Sequence, residues 1–248
     1  MAALTALLPV VLANNQTTSS IATNSQSTTA ENNAPSSFIE FNGSDQYMMI
    51  PHHADFNITT TESFTVSCWV KRNVLEADTR FVVKRVKNNA TIKSGYELWG
   101  NGISSQFFAV NSPNNTGDHN NSVSVYSNIP GYAGEWHHIA FVIDRTAGIM
   151  YEYHNGTAVA NSGIKPIAPW ECTNTYDVLV GAGFSEEDTP NYFLNGAIGG
   201  LHFYKRALSA EEITADATAE VGPETDGLVA AYDFQNITGL RVTDISGN

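Results

Sequence analysis

The stretch GEWHHIAFVIDRTAGIMYEYHNG, from Gly134 to Gly156, decides the fold of this chain. Aromatic and β-branched residues fill the run from Trp136 to Ile143, and a second extended run, Ile149 to His154, follows a turn. Runs of this kind between turn residues are typical of β-strands. The Asn155-Gly156 pair that ends the stretch favours a further hairpin, because both residues readily reach positive φ. The stretch therefore predicts an antiparallel meander.

Two adjacent histidines, His137 and His138, lie at the start of the first strand. Neighbouring side chains of a strand point to opposite faces, so these two imidazoles cannot chelate one metal ion. We expect one histidine to face the core and the other to face away from it.

Short alternating runs separated by turn residues extend in both directions from this meander. They are SFIEF, YMMIP, SFTVSCWVKR, RFVVKR, GYELWG and SQFFAV before it, and Asp177 to Gly181 and Ala197 to Tyr204 after it. Asn111 to Asn121 is expected to be a polar loop. This spacing predicts an all-β fold, an antiparallel β-sandwich from residue 38 to about 248.

One short helix is predicted near the C-terminus, within residues 207–221. Ser209 and Glu212 have the spacing of a capping box, in which each side chain bonds to the backbone N–H at the other position. Residues 226–248 contain DGLVAAYDFQN and VTDISGN, which predict either a strand that closes this sandwich or the start of a second module. The first alternative is favoured, because an orphan strand would leave an unpaired edge.

The N-terminal region has two parts, an apolar segment over residues 1–13 and a linker over residues 14–37 that is rich in Ser, Thr, Asn and Gln. The first part is shorter than the ~20 residues of a membrane-spanning helix, so we predict no membrane span there. It resembles either a signal peptide without its basic region or an assembly arm. If this extended N-terminal arm is ordered, we expect its contacts to come from neighbouring subunits.

The charge of the chain excludes some classes of partner. The formal net charge is −13 and the isoelectric point is about 4.8. Nucleic acid binding needs a basic surface that neutralises phosphates, so we predict no nucleic acid partner. The two cysteines, Cys68 and Cys172, allow a disulfide without predicting one, and Cys68 is expected to be a small core thiol.

Four stretches resemble the concanavalin A-like lectin and glucanase superfamily, in its laminin G-like branch. They are FNGSDQYMMIP, SFTVSCWVKR, GEWHHIAFVID and LNGAIGGLHFYKRALSAEEI, and they occur in the order of that family. The resemblance implies a concanavalin A-like jelly roll. It leaves the function open, because this fold carries lectins, hydrolases, adhesion modules and structural proteins.

Catalytic motifs are not evident in the sequence. Glycosidases of the superfamily carry two carboxylates on one strand at Glu-x-Asp-x-x-Glu spacing, so that acid and nucleophile flank the sugar bond. No such run occurs in this chain, and the acidic stretch Glu186-Glu187-Asp188 is expected to lie in a loop. We therefore predict that the protein is not an enzyme.

Calcium is the one cofactor that the resemblance implies. Asp45 matches an acidic position that often contributes to a calcium site in the family, and calcium prefers carboxylate and backbone oxygens. The closing strand departs from the pattern, because Ile198-Gly199-Gly200 stands where relatives commonly carry Ile-Asp-Glu. Alternatively, Asp45 is a turn residue.

Carbohydrate recognition commonly stacks an aromatic ring on a sugar ring, with amides and carboxylates binding the hydroxyl groups. The candidate rings are Trp99, Trp170 and Tyr192, which lie near predicted loops with asparagine close by. Alternatively each of them is a core residue of the sandwich, as aromatic residues of this fold more often are.

N-glycosylation sequons suggest an exterior environment. They occur at Asn15, Asn42, Asn57, Asn89, Asn114, Asn120, Asn155 and Asn236.

Two functions fit these observations, and both place the protein outside the cell or on a virion surface. The first is a secreted, lectin-like glycoprotein that binds glycans or protein surfaces. The second is a structural subunit of an exterior assembly, such as a virion capsid component or a filament, in which the arm contacts neighbouring subunits.

Overall fold

The computed structural model describes most of the chain beyond residue 33. The described residues are 10–13, 34–75, 78–85, 93–102, 104–112, 122–128, 133–163, 172–184, 189–218, 225–235, 237–238 and 241–248.

The described residues form an antiparallel β-sandwich with one α-helix, which confirms the predicted fold class. The strands in chain order are β1 (Val10–Ala13), β2 (Ile39–Asn42), β3 (Tyr47–Ile50), β4 (Phe64–Arg72), β5 (Thr79–Arg85), β6 (Lys93–Asn101), β7 (Ser104–Ser112), β8 (Ser122–Asn128), β9 (Trp136–Asp144), β10 (Ile149–His154), β11 (Thr157–Gly163), β12 (Val178–Val180), β13 (Gly183–Phe184), β14 (Pro190–Asn191), β15 (Asn195–Tyr204), β16 (Leu228–Tyr232), β17 (Ile237–Thr238) and β18 (Arg241–Val242). A short 3-10 helix spans Ala54–Phe56, and α1 spans Ala210–Asp216.

Two large sheets enclose the core. The first, sheet A, has the spatial order β17-β18-β1-β3-β12-β5-β6-β7-β8, and the second, sheet B, has the order β11-β10-β9-β4-β15-β16, with β2 also paired to β15. Strands β13 and β14 form a separate hairpin. Alternate residues from both sheets meet between them, as expected for a sandwich. They include Met48, Val82 and Leu98 from sheet A and Val66, Phe141 and Ile198 from sheet B.

The meander predicted from residues 134–156 is present as strands β9, β10 and β11. Asn155 and Gly156 both have positive φ, 48° and 78°, and form the tight turn between β10 and β11. Asn111 and Ser112, expected to open a polar loop, belong to β7, and residues 113–121 lie outside the described residues.

Helix α1 covers the outer face of sheet B. Its N-terminus is the predicted capping box, in which the Ser209 side chain accepts from the backbone of Glu212 and the Glu212 side chain accepts from the backbone of Ser209. Ile213 and Leu208 pack there against outward-facing residues such as Ala140 and Tyr204. The outer face of sheet B is therefore buried where the helix crosses it.

The C-terminal segment completes both sheets. Strand β16 pairs with β15 at the edge of sheet B, whereas β17 and β18 pair with each other in sheet A. These strands pair with the sandwich of this chain, and the predicted division into domains stays a prediction.

Strand β1 pairs within the chain. It lies between β3 and β18, with Val11 opposite both Met49 and Arg241. The sequence led us to expect that an ordered arm contacts neighbouring subunits. These four residues instead pair with strands of sheet A in the same chain. The remainder of the arm before Ala34 lies outside the described residues, so its contact with other subunits stays a prediction.

Two smaller expectations can be compared with the described residues. Cys68 and Cys172 are both buried, and Cys68 is the core thiol that was expected. No helix in the described part of the chain combines the length and the hydropathy that a membrane crossing requires.

Candidate functional site

Two of the three predicted carbohydrate-binding rings lie around one arginine. The Arg80 guanidinium carbon lies 4.8 Å from the centre of the Trp99 ring and 4.6 Å from the centre of the Tyr192 ring. Both distances are within the range of cation–π contact. Both rings are half-buried. The third ring, Trp170, lies outside the described residues.

Strand pairing places Trp99 and Arg80 side by side. Arg80 of β5 is directly opposite Trp99 of β6, and residues paired in this way have their side chains on the same face. Leu98, the neighbour of Trp99, is fully buried in the core. Trp99 and Arg80 therefore lie on the outer face of sheet A.

The β13–β14 hairpin brings Tyr192 to the same place. The carbonyl of Tyr192 accepts a hydrogen bond of 3.1 Å from the backbone N–H of Arg80. Gly183 of this hairpin has no side chain, and a Cβ atom there would lie 2.8 Å from Cγ of Arg80. A glycine at this position therefore allows the hairpin to pack closely against the aliphatic part of the Arg80 side chain.

Backbone strain is concentrated beside Arg80. Tyr192 has a φ of 55° and Asp78 has a φ of 59°. This left-handed region is costly for residues other than glycine, and such strain is often found at functional sites. Two of the four described non-glycine residues with positive φ therefore flank the same guanidinium.

The charges of the cluster are balanced by a shared carboxylate. Glu97 accepts a hydrogen bond of 3.0 Å from Nε of Arg80 and one of 2.7 Å from Nη1 of Arg85. Asp78 lies 4.0 Å from Nη1 of Arg80. Two arginines therefore face two carboxylates. We call Arg80, Glu97, Trp99 and Tyr192 the Arg80 cluster.

Two donors of the Arg80 cluster lack acceptors. Nε1 of Trp99 and Nη1 of Arg80 are buried and form no hydrogen bond with the described residues. Buried donors without acceptors are uncommon, because each costs free energy. Together with the strained backbone, they distinguish this part of the surface from ordinary packing.

Arg80 and Glu97 were not predicted from the sequence. Glu97 is two residues from Trp99 on one strand, so alternation could have placed both on the same face. Arg80 becomes a neighbour of Trp99 only through the pairing of β5 with β6, which includes a register shift between Arg80 and Val82. No local feature of the sequence indicates how β5 and β6 are aligned.

The adjacent histidines lie on opposite faces of β9, as predicted. His137 faces the space between the sheets, where its Nδ1 lies 2.8 Å from Nε2 of His154. Burial lowers the pKa of His137, and burial together with the charge of His137 lowers the pKa of His154 to about 4. His138 faces the opposite side of the sheet and is nevertheless fully buried.

His138 is part of a buried network around Asp216 of α1. The carboxylate accepts hydrogen bonds from Oγ of Ser67 at 2.5 Å and from the hydroxyl of Tyr204 at 2.6 Å. Nδ1 of His202 lies 2.9 Å from it, and Nε2 of His138 lies 3.3 Å from it. This network fastens the last turn of α1 to sheet B.

Asp45, the acidic residue that the resemblance assigns to a calcium site, lies in the bend that follows β2. Asp45 is exposed and accepts a hydrogen bond of 2.8 Å from Nδ2 of Asn42, whose Oδ1 accepts from the backbone of Ser44. At Gly199, where relatives carry a carboxylate, a Cβ atom would lie 2.6 Å from Cγ of Pro35. Within the described ranges, no three His, Cys, Asp or Glu side chains are grouped as metal ligands.

Calcium binding therefore stays a prediction that rests on the resemblance, with one carboxylate to support it. Ligand binding stabilises a fold in proportion to RT ln(1 + [L]/Kd). A site formed by Asp45 and backbone carbonyls should therefore give a higher melting temperature in millimolar calcium than in chelator, and Asp45→Asn should lose that difference. Equal melting temperatures in chelator and in calcium would contradict the prediction.

Three glycosylation sequons lie in the described part of the chain, at Asn42, Asn57 and Asn155. Asn42 and Asn155 are exposed, and Oδ1 of Asn155 accepts a hydrogen bond of 2.8 Å from the backbone of His138. Asn57 is half-buried. Glycosylation itself stays a prediction, and the other sequons lie outside the described residues.

Comparison with known proteins identifies the family. Residues 42–214 match the Laminin_G_3 family model, which describes the concanavalin A-like lectin/glucanases superfamily. No curated protein is similar enough in sequence to count as a match.

Several solved structures share the fold. The binding domain of botulinum neurotoxin serotype G has a TM-score of 0.56 and 16% sequence identity, and the match covers 73% of this chain and 42% of that chain. The binding domain of Paraclostridial Mosquitocidal Protein 1 has a TM-score of 0.54 and 13% identity, covering 73% and 43%. A candidate carbohydrate binding protein from Bacteroides ovatus has a TM-score of 0.53 and 16% identity, covering 75% and 50%.

The matched part of this chain corresponds to half or less of the length of each of these structures, and at such identities the likeness shows the fold alone. The family match covers most of the chain and agrees with the observed sandwich. The chain therefore belongs to the concanavalin A-like lectin/glucanase superfamily, in its laminin G-like branch.

Proposed function

We propose that this chain is a non-catalytic, lectin-like module that binds glycans on an exterior surface, and that the Arg80 cluster is its binding site. One observation carries the proposal: two aromatic rings chosen from the sequence as sugar platforms lie around one guanidinium on the outer face of sheet A. Arg80 contacts both rings and holds them in place. The side chains of Arg80 and Glu97 are 12% and 10% exposed and supply the hydrogen-bonding groups nearest to the two rings.

Membership of the family and the nature of the neighbours support a binding role. Two of the reported structures are toxin binding domains, and the third is described as a candidate carbohydrate binding protein. A protein surface is the second class of partner that such a module could bind. The half-buried aromatic rings of the Arg80 cluster, which lie beside charged groups, favour a glycan.

The chemistry of the cluster supports a role without catalysis. A glycosidase needs two carboxylates that flank the scissile bond, one of them able to donate a proton. Both carboxylate oxygens of Glu97 already accept hydrogen bonds from arginines, Oε2 from Arg80 and Oε1 from Arg85.

A structural role in an exterior assembly has less support. This alternative relied on an N-terminal arm that contacts neighbouring subunits. Residues Val10–Ala13 of that arm pair instead with β3 and β18 of the same chain. No contact among the described residues favours this alternative.

A glycan array with the purified protein tests the proposal. We expect the wild type to bind at least one glycan, and Tyr192→Ala and Trp99→Ala each to weaken that binding at least tenfold, which corresponds to about 1.4 kcal/mol. The expected loss follows from removing a stacking ring.

Two controls separate binding from folding. Trp99→Phe keeps an aromatic ring and should retain most of the affinity, and Tyr176→Ala removes a tyrosine that is 38% exposed outside the cluster and should change nothing. Melting curves of every variant establish that it is folded. The proposal fails if the folded wild type binds no neutral, sulfated or sialylated glycan.

A further inference from the structure

An exposed tyrosine lies in line with the Arg80 cluster on the outer face of sheet A. Tyr126 of β8 is 66% exposed. Its neighbour Val125 is 2% exposed and belongs to the core. Since neighbouring side chains of a strand alternate, Tyr126 faces outward on the same side as Trp99.

The register of four neighbouring strands connects the two positions. Arg80 is opposite Trp99, Trp99 is opposite Gln106, and Gln106 is opposite Tyr126. This row runs directly across β5, β6, β7 and β8. Adjacent strands are about 4.8 Å apart, so the backbone at Tyr126 lies about 10 Å from Trp99 and about 14 Å from Arg80.

These distances exceed the size of one pyranose ring. A single sugar unit stacked at the Arg80 cluster would not reach Tyr126, whereas a linear chain of several units laid across the strands would contact both. Tyr126 makes no ring contact with another described residue. Its side chain is 66% exposed, which leaves ring surface that a ligand can stack on.

The charges indicate which glycans suit this surface. Glu97 pairs with Arg80 and with the neighbouring Arg85, and Asp78 lies 4.0 Å from Arg80, so the two arginines face two carboxylates. The whole chain has a net charge of −13 and repels anions at long range. Neutral glycans are favoured over sialylated or sulfated ones, which would find no unpaired cation in the Arg80 cluster.

We propose that the outer face of β5–β8 binds a neutral, linear oligosaccharide that extends across the strands from the Arg80 cluster to Tyr126. The proposal rests on the proposed function, since it takes the Arg80 cluster as the first contact. It adds a class of ligand, a direction and a second stacking platform at Tyr126.

Oligosaccharides of increasing length test this inference. Cello-, xylo- and manno-oligosaccharides of one to six units are titrated against the wild type, with sialyllactose and a sulfated oligosaccharide as anionic probes. For at least one neutral series, affinity should rise tenfold or more between the disaccharide and the longest chains. Neither anionic probe should bind more tightly than the best neutral chain.

Two variants test which residues contact the additional sugar units. Tyr126→Ala should remove the gain from added length while leaving disaccharide affinity unchanged, and Tyr192→Ala should weaken binding at every length. Tyr176→Ala serves as the matched control and should behave as the wild type.

The outcomes distinguish the two proposals. Equal affinity at all lengths, a full length effect in Tyr126→Ala, or preference for an anionic probe would overturn the extended site while leaving glycan binding intact. If none of these oligosaccharides binds and the glycan array also shows no binding, the proposed function itself is wrong.

Discussion

Replacing Asp216 with asparagine should lower the free energy of unfolding by about 3–5 kcal/mol, because it removes the charge on which a buried network depends. The Asp216 side chain is 2% exposed and lies against Ser67, Tyr204, His202 and His138. An asparagine retains one acceptor oxygen, and its amide nitrogen would face donors. Urea denaturation at pH 7 measures the loss.

The matched control is Asp226→Asn. The Asp226 carboxylate lies 3.4 Å from Nε of Arg206, but its side chain is 93% exposed. Exposed ion pairs contribute little, so this variant should stay within about 0.5 kcal/mol of the wild type. If Asp216→Asn were equally mild, the network would not be what fastens α1 to sheet B.

The loss from Asp216→Asn should depend on pH in one direction. Burial alone would raise the pKa of Asp216, but the charge of His202 and hydrogen bonds from His138 and His202 hold the pKa well below its ordinary value of 3.8. A depressed carboxyl pKa gives stability that is present above the unfolded pKa and lost as the pH falls through the folded pKa. The difference between variant and wild type should therefore persist at neutral pH and shrink in strong acid.

Features with a local signal were predictable from the sequence. Strands β9 and β10 follow from alternation, and their hairpin with β11 follows from Asn155-Gly156, since both depend on neighbouring residues. The capping box at Ser209 is local in the same sense. The opposite orientations of His137 and His138 needed only the two-residue period of a strand.

Features that depend on strand pairing were not predictable. Trp99 and Tyr192 could be chosen by residue type, but Arg80 joins them only through the register of β5 with β6 and the position of the β13–β14 hairpin. Strand β1 is four residues long and pairs with β3 and β18, both distant in sequence. Its apolar composition is equally compatible with a signal-like segment.

Glu152 is a further case, in which the residue type alone misleads. A glutamate on a strand is usually expected to face solvent, yet this residue is fully buried between the sheets, on the same face as Met150 of the core. Ser105 and Ser127 of the opposite sheet both donate hydrogen bonds to its Oε1. Its Oε2 has no partner among the described residues.

This environment should make the stability of the protein depend on Glu152 above pH 4.5. Burial raises the pKa of Glu152 from 4.5 to about 7, although the two serines oppose the rise. A raised carboxyl pKa means that stability is fully present below the unfolded pKa and is lost as the pH rises toward and through the folded pKa. The difference between the two pKa values corresponds to about 3 kcal/mol at pH 8.

His154, two residues further along β10, acts in the opposite direction. Its pKa is lowered to about 4 by burial and by His137, so its contribution is full above the ordinary value of 6.5 and is lost as the pH falls toward 4. The free energy of unfolding of the wild type therefore changes with pH through two opposing contributions, one from Glu152 and one from His154. Only a comparison between variants isolates the contribution of Glu152.

Glu152→Gln should be more stable than the wild type at pH 8, by up to about 3 kcal/mol, and nearly equal to it at pH 4.5. The glutamine oxygen can still accept from Ser105 and Ser127, while no charge is buried. Urea denaturation of both proteins at the two pH values measures the difference, and His154 cancels in the comparison. Glu135 is exposed, so Glu135→Gln serves as the control. Its difference from the wild type in free energy of unfolding should not increase between pH 4.5 and pH 8. A Glu152→Gln variant that is less stable than the wild type at pH 8 would mean that the charged carboxylate is held by stronger donors than the two serines.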